Sequence, residues 1–123
     1  MKQLSKYEQA LLDGWESIYK MGQLSLWVML ALKHGAKHMS QIKKFIGEST
    51  AGALTADDKS IYRALRKYDK AELIRFDTKA NATGPDLKVY SLTETGERVL
   101  EQFLDRNVRI LYKSKVRELI EKG

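Results

Sequence analysis

The apolar periodicity of this chain changes between about residues 73 and 92. Before this stretch, apolar residues recur at three- and four-residue steps, which is typical of amphipathic helices. Within it, segments 73–78 and 87–92 alternate apolar and polar residues, and the turn-forming residues 81–86 separate them. Helical spacing then returns. The pattern therefore predicts a mainly α protein with one small antiparallel β-hairpin.

The helical part divides into five segments. Gly22 separates the first two, Ser40 is the predicted cap of a short third helix, and Thr55 with Asp58 resembles a capping box before the fourth. The helices are predicted over about residues 4–20, 24–32, 40–46, 57–71 and 95–121, the last as one continuous helix.

A three-helix core followed by a hairpin is the order of elements in a winged helix-turn-helix. The fourth helix would then be the recognition helix and the hairpin tip the wing. The predicted organisation is an N-terminal dimerisation helix at 1–21, a winged-helix DNA-binding domain at 22–93, and a C-terminal dimerisation helix at 94–123. The same layout also serves in protein–protein modules, so architecture alone does not decide function.

Composition excludes several classes of protein. The 123 residues suffice for a single core, and the absence of cysteine excludes disulfides and thiolate metal sites. The N-terminus does not resemble a signal peptide, and the longest apolar stretch is too short to span a bilayer, so we expect a cytoplasmic protein. His34 and His38 lack a third metal ligand, and no catalytic constellation is evident. We therefore expect no enzyme activity, cofactor or metal.

The net charge of +6 favours a polyanionic partner. Between Lys59 and Lys70 the predicted recognition helix carries five basic residues against one acidic residue, spaced on one face. A solvated basic surface is the alternative interpretation, and lysines on the hairpin could simply protect an edge strand. The residues predicted to contact DNA are Lys59, Ser60, Tyr62, Arg63, Arg66 and Lys67 in this helix, Lys79 and Lys88 at the wing, and Lys37, Lys43 and Lys44 around the short third helix.

The terminal helices carry more apolar surface than a small winged-helix core can cover. A twofold dimer would bury this surface, whereas packing within one chain is the alternative. Trp15 and Phe103 could also leave a slot for a planar apolar ligand across the twofold axis, or simply fill the seam. The predicted dimer-interface residues are Leu11, Trp15, Ile18, Leu100, Phe103, Leu104, Val108 and Leu111.

Three blocks of sequence resemble the PadR-like transcriptional regulators: residues 19–32, the recognition-helix segment Lys59-Ser60-Ile61-Tyr62-Arg63-Ala64-Leu65-Arg66, and the wing segment 84–96. In order, they cover about residues 19–112. The resemblance implies a dimeric DNA-binding repressor of the short-tailed branch, some of whose members accommodate hydrophobic small molecules. Leu87, Glu72 and the segment 38–40 depart from the family pattern, and Glu72 stands where a glycine often ends the recognition helix.

We therefore expect a homodimeric, sequence-specific repressor that binds double-stranded DNA and responds to a small apolar effector. Two alternatives remain from the sequence. One is a winged-helix protein–protein interaction module that docks its basic helix on an acidic partner. The other is an architectural protein that binds DNA without sequence preference.

Overall fold

A computed structural model describes residues 3–122 of the chain, so the outermost positions of the predicted terminal segments, 1–2 and 123, lie outside it. Six α-helices, one short 3₁₀ helix and a two-stranded hairpin follow one another over this range. Their bounds are α1 Lys6–Met21, α2 Leu24–Lys33, α3 Met39–Ser49, α4 Asp58–Lys70, β1 Ile74–Lys79, β2 Leu87–Leu92, α5 Glu94–Asn107, the 3₁₀ helix Arg109–Tyr112, and α6 Ser114–Glu121.

The core lies where α2, α3 and α4 meet and is closed by the hairpin and α5. α2 is apolar on nearly all sides, and Val28 and Ala31 are completely buried within it. α3, α4, the hairpin and α5 contribute further apolar side chains to it. The remaining fully or almost fully buried side chains are Ile42 and Ile46 from α3, Ile61 and Leu65 from α4, and Ile74 from β1.

The hairpin is an antiparallel ladder in which Ile74 pairs with Leu92 and Lys79 with Leu87. Lys37 adds a short third strand to it. The Lys37 N–H donates to the Tyr90 carbonyl at 3.0 Å, and the Tyr90 N–H donates back at 2.8 Å. This isolated bridge fixes the hairpin against the loop between α2 and α3. The three-helix core followed by the hairpin is the winged-helix arrangement that the sequence predicts.

The prediction of one continuous C-terminal helix is wrong. α5 ends at Asn107, and the chain passes through Val108 and the 3₁₀ helix before α6 begins. The Arg109 guanidinium turns back to Glu101 and Asp105, with nitrogen–oxygen distances of 2.6 Å to each. Lys33 of α2 also lies 3.6 Å from the Glu101 carboxylate. Straight continuation of α5 is therefore replaced by a turn that the contacts of Arg109 with Glu101 and Asp105 hold.

Two predicted helix caps are also wrong. α3 begins at Met39, one residue before Ser40, and the N–H of the capping residue His38 donates to the Gln41 side chain at 3.0 Å. α4 is capped by Asp57 and not by Thr55. In both cases the capping interaction is made by a neighbour of the residue that composition favoured.

The terminal helices pack little within the chain. None of the residues Lys6–Met21, all of which the structure describes, is buried, and the same holds for Ser114–Glu121. Among residues 3–122, no helix is both long and apolar enough to cross a membrane.

Candidate nucleic-acid interface

The two sides of α4 differ sharply in character. Ile61, Ala64 and Leu65 are buried in the core. Because a helix repeats every 3.6 residues, the positions between them point away from the core and are left to solvent. Lys59, Tyr62, Arg63, Arg66 and Lys67, all predicted to contact DNA, are exposed, while Ser60 is half-buried.

The start of α4 is fixed by a side-chain cap. The Asp57 carboxylate accepts the Ser60 N–H at 2.7 Å, and this hydrogen bond lowers the pKa of Asp57. The next residue, Asp58, pairs with Lys43 of α3 at 2.9 Å. Ser60 therefore lies in the first turn of a helix whose N-terminus is already occupied by carboxylates, which the helix dipole favours.

The end of α4 is a Schellman motif. The Glu72 N–H donates to the Asp69 carbonyl and the Leu73 N–H to the Tyr68 carbonyl, both at 3.0 Å. Glu72 has a φ of 62°, in the left-handed region that favours glycine. The helix thus ends in the left-handed way expected of glycine at this position, although Glu72 carries a side chain.

The wing presents two lysines beside α4. Lys79 and Lys88 are exposed near the hairpin tip, and the Lys88 ammonium lies 4.7 Å from the centre of the Phe76 ring. Two open clefts of about 260 and 280 Å³ separate the wing from α4, and Tyr62 and Lys88 line both. Tyr62 therefore lies between α4 and the wing, where one bound molecule could contact Tyr62, α4 and the wing together.

Each of the three lysines around α3 has a contact within the chain. The Lys37 ammonium donates to the Ala31 carbonyl at 2.7 Å, and it lies 5.1 Å from the centre of the Phe45 ring. Lys43 is paired with Asp58, and Lys44 lies 3.8 Å from Glu48. Sequence reasoning missed these partners because the Asp58 contact joins two helices, although the i,i+4 spacing of Lys44 and Glu48 was visible.

The residues predicted to form a dimer interface differ in how far they are exposed. Trp15 and Ile18 are 75% and 74% exposed, and Phe103, on the outer side of α5, is 45% exposed. Leu100 and Leu104 instead belong to the core of the chain itself. The remaining three are Leu11 and Leu111, which are exposed, and Val108, which is half-buried.

The two histidines have structural contacts of their own. The His34 ring stacks on Phe45, with ring centres 5.9 Å apart, and His38 precedes α3 as its cap. Within residues 3–122, no three His, Cys, Asp or Glu side chains are grouped as a metal site requires.

Comparison with known proteins places this arrangement in a family. A model of the transcriptional regulator PadR-like family matches residues 28–102, whereas no curated protein matches the chain. Bacillus subtilis PadR in complex with operator DNA is similar at 26% identity and a TM-score of 0.60, over 66% of this chain and 46% of that one. The chain thus spans less than half the length of that protein.

Two other solved structures cover more of the chain at lower identity. A PadR family regulator from Eggerthella lenta matches over 97% of this chain and 100% of its own length, at 17% identity and a TM-score of 0.73. A PadR-like regulator from Bacillus cereus matches over 84% of this chain and 96% of its own length, at 22% identity and a TM-score of 0.68. These two show the shared winged-helix fold. Since the family model covers more than half of the sequence, the chain belongs to the PadR-like family of transcriptional regulators.

Proposed function

We propose that the protein is a repressor that binds specific double-stranded DNA as a homodimer, with α4 in the major groove and the wing on the adjacent backbone. The observation that carries this proposal is the division of α4 into a buried apolar side and an exposed cationic side beside two wing lysines. The similarity to Bacillus subtilis PadR, whose structure contains operator DNA, supports it.

The proposed roles follow from reach and charge. Arg63 and Lys67 are exposed on α4, and arginine or lysine can pair with the acceptor edge of guanine. Lys59 and the Tyr62 hydroxyl would contact phosphates, as would Lys79 and Lys88 from the wing. Because Lys43 and Lys44 have carboxylate neighbours, their net attraction for phosphate is weaker than their number indicates.

A second copy of the chain would cover the exposed apolar surface of the terminal helices. Tyr7, Trp15 and Ile18 of α1 and Leu119 and Ile120 of α6 are all more than half exposed. Large apolar patches on a water-soluble domain mark interaction surfaces, and a twofold pair would cover both helices at once. In this arrangement two copies of α4 would meet two half-sites of one DNA duplex.

Selection from a library of random DNA duplexes tests the DNA proposal. We expect an enriched sequence with twofold symmetry. Arg63→Ala should weaken binding to it by about 1–3 kcal/mol and relax preference at one base pair. Arg117→Ala on α6 is the matched control, since it removes the same charge from an exposed site away from α4.

Two other outcomes of this selection point to the alternative functions. Tight binding without any enriched sequence would indicate an architectural DNA-binding protein. Binding no stronger than that of an unrelated basic protein would indicate a protein–protein module. A selected site placed in a reporter promoter then tests repression, since the proposal requires lower expression when the protein is present.

The dimer is tested by light scattering on Phe103→Asp and Gln102→Asp. A charge at the exposed apolar Phe103 should dissociate the pair, whereas the same charge at the neighbouring exposed Gln102 should not. A wild-type chain that is monomeric at micromolar concentration would contradict the proposed dimer.

The effector slot between Trp15 and Phe103 also stays a proposal. Neither residue lines the clefts beside α4, so a slot would have to form between two chains. A planar apolar compound that occupies it should quench tryptophan fluorescence and weaken DNA binding together. DNA should then weaken binding of the compound by the same factor, because coupling between two sites is reciprocal.

A further inference from the structure

The residues just after α4 and just before α5 are joined by a compact set of hydrogen bonds. The Thr93 N–H donates to the Leu73 carbonyl at 3.1 Å. The Thr93 hydroxyl lies 2.7 Å from the Glu72 carbonyl and 3.1 Å from that of Leu73. Its oxygen also accepts the Gly96 N–H at 3.0 Å and so caps α5. The Thr93 side chain thus donates to the backbone just after α4 and also caps the N-terminus of α5.

Gly96 lets the backbone of α5 approach that of Leu73 more closely than any other residue would allow. A Cβ atom at this position would overlap the backbone carbonyl of Leu73, and Gly96 is buried. The partner atom belongs to the backbone and not to a flexible side chain, so it cannot simply rotate away. Glycine is therefore required here by the close approach of α5 to the Leu73 carbonyl.

The same junction holds the strained end of α4. Glu72 has a left-handed backbone, which costs a non-glycine residue about 1 kcal/mol, and its carbonyl is the nearest acceptor of the Thr93 hydroxyl. Hydrogen bonds are directional and so favour one angle between two elements, whereas the hydrophobic contacts of Leu100 and Leu104 carry no directional preference.

We propose that Thr93 and Gly96 are positioning residues that lock α4 and α5 into one rigid body. This proposal deepens the proposed function, and its consequence for DNA rests on it. In a dimer held through its terminal helices, the spacing of the two α4 helices depends on how firmly each is tied to α5. The junction at Glu72, Leu73, Thr93 and Gly96 would therefore set which half-site separation the protein accepts.

Three substitutions at Thr93 separate bridging from capping. Thr93→Ser keeps both the hydroxyl donor and the cap. Thr93→Asp keeps an acceptor for the Gly96 N–H, as aspartate is a good cap, but cannot donate to the Glu72 carbonyl. Thr93→Val removes both interactions at nearly constant shape. Gly96→Ala should force the two segments apart, but the Thr93 series does not depend on that variant folding.

The first measurement does not involve DNA. Since the chain has no cysteine, nitroxide labels can be placed at Lys59→Cys on α4 and Gln102→Cys on α5, both exposed positions. Labelled chains are diluted with excess unlabelled protein so that each assembly carries at most one labelled chain. Pulsed electron paramagnetic resonance measures the distance between the two labels. Its distribution should be narrow in the wild type and in Thr93→Ser, and broad in Thr93→Asp and Thr93→Val.

The second measurement uses the duplex obtained by selection, an isolated half-site, and duplexes whose half-sites are one base pair closer or farther apart. Thr93→Val should weaken binding to the full site about fivefold, the equivalent of one hydrogen bond, leave half-site binding unchanged, and reduce discrimination between spacings. A merely structural defect would weaken both duplexes alike. A distance distribution as narrow in Thr93→Asp as in the wild type would overturn the proposal, because capping alone would then fix the geometry. Absence of any preferred DNA sequence would overturn only the proposed function.

Discussion

The winged-helix core and the terminal helices contain similar apolar residues, which are buried in the core and exposed in the terminal helices. Leu32 in α2 is 4% exposed, whereas Trp15 in α1 is 75% exposed. α1 has a regular apolar stripe and a complete capping box at Ser5 and Glu8, so its local sequence specifies a helix as clearly as that of α4 does. The comparison shows that periodicity encodes a helix, while burial depends on whether the chain supplies a partner surface.

The strongest test of this difference replaces one leucine from each region. Leu65→Ala empties a site that is 1% exposed and should lower the free energy of unfolding by about 2–5 kcal/mol. Leu119→Ala, at a site that is 76% exposed, should change it by less than about 0.5 kcal/mol in dilute protein. Urea unfolding followed by circular dichroism measures both.

Protein concentration sharpens the same test. The effect of Leu65→Ala should not depend on concentration, whereas that of Leu119→Ala should grow where the chain assembles, because binding stabilises the folded state. Equal losses for the two variants in dilute protein would mean that α6 packs in the core of its own chain.

A second prediction concerns strain within the core region. Glu72→Gly should raise the free energy of unfolding by about 1 kcal/mol, because glycine adopts the left-handed φ without steric cost. Ala71→Gly is the matched control, since Ala71 has a φ of −81° and gains nothing from glycine. The thermal midpoints of the two variants should move in opposite directions, and a fall for Glu72→Gly would contradict the proposed strain.

A third prediction tests the connection between the two regions. The hydrogen bond from Arg109 lowers the pKa of Glu101, so the contact is present above the unfolded value of about 4.3 and is lost as pH falls through the depressed folded value. Amide protection factors in 110–121 should therefore fall in acid while those of α4 persist. Glu101→Gln should lower them at neutral pH, and Glu118→Gln, on exposed α6, should not.

The smallest expected effect is that of Trp27→Phe in α2. Among residues 3–122, the buried Trp27 indole nitrogen has no hydrogen-bond partner. Removing an unsatisfied donor recovers its desolvation cost of about 1–3 kcal/mol, which offsets the contacts that the smaller ring loses. Chemical unfolding should place the variant within about 1 kcal/mol of the wild type, and a loss as large as that of Leu65→Ala would mean that the indole has a partner.

Much of the fold could be predicted because its signals are local. The hairpin segments predicted at 73–78 and 87–92 lie at Ile74–Lys79 and Leu87–Leu92, and the change from helical spacing to alternation located them. The split of α4 into apolar and basic sides was also readable from three- and four-residue steps. These features depend on residues close to one another in the sequence.

The failed predictions involve contacts between elements or choices between neighbouring caps. Segment 108–121 keeps helical apolar spacing and contains neither glycine nor proline. No local signal therefore indicates that the helix ends there and that Arg109 pairs with Glu101. The hydrogen bond from Lys37 to the Ala31 carbonyl is likewise not visible in the sequence, and the predicted contact of Lys37 with DNA stays a prediction. Leu100 and Leu104 share a spacing with Phe103 and Leu111, and only packing shows which of them the core uses.

The bridge between Lys37 and Tyr90 has a consequence for how the chain is made. It joins the loop before α3 to the last strand, so it closes only after the whole of α3, α4 and β1 has been synthesised. During translation, Ile42, Ile61 and Leu65 stay without their full covering until β2 has left the ribosome. Closing such a long loop carries an entropic cost that local helices do not pay, so the hairpin should dock late in folding.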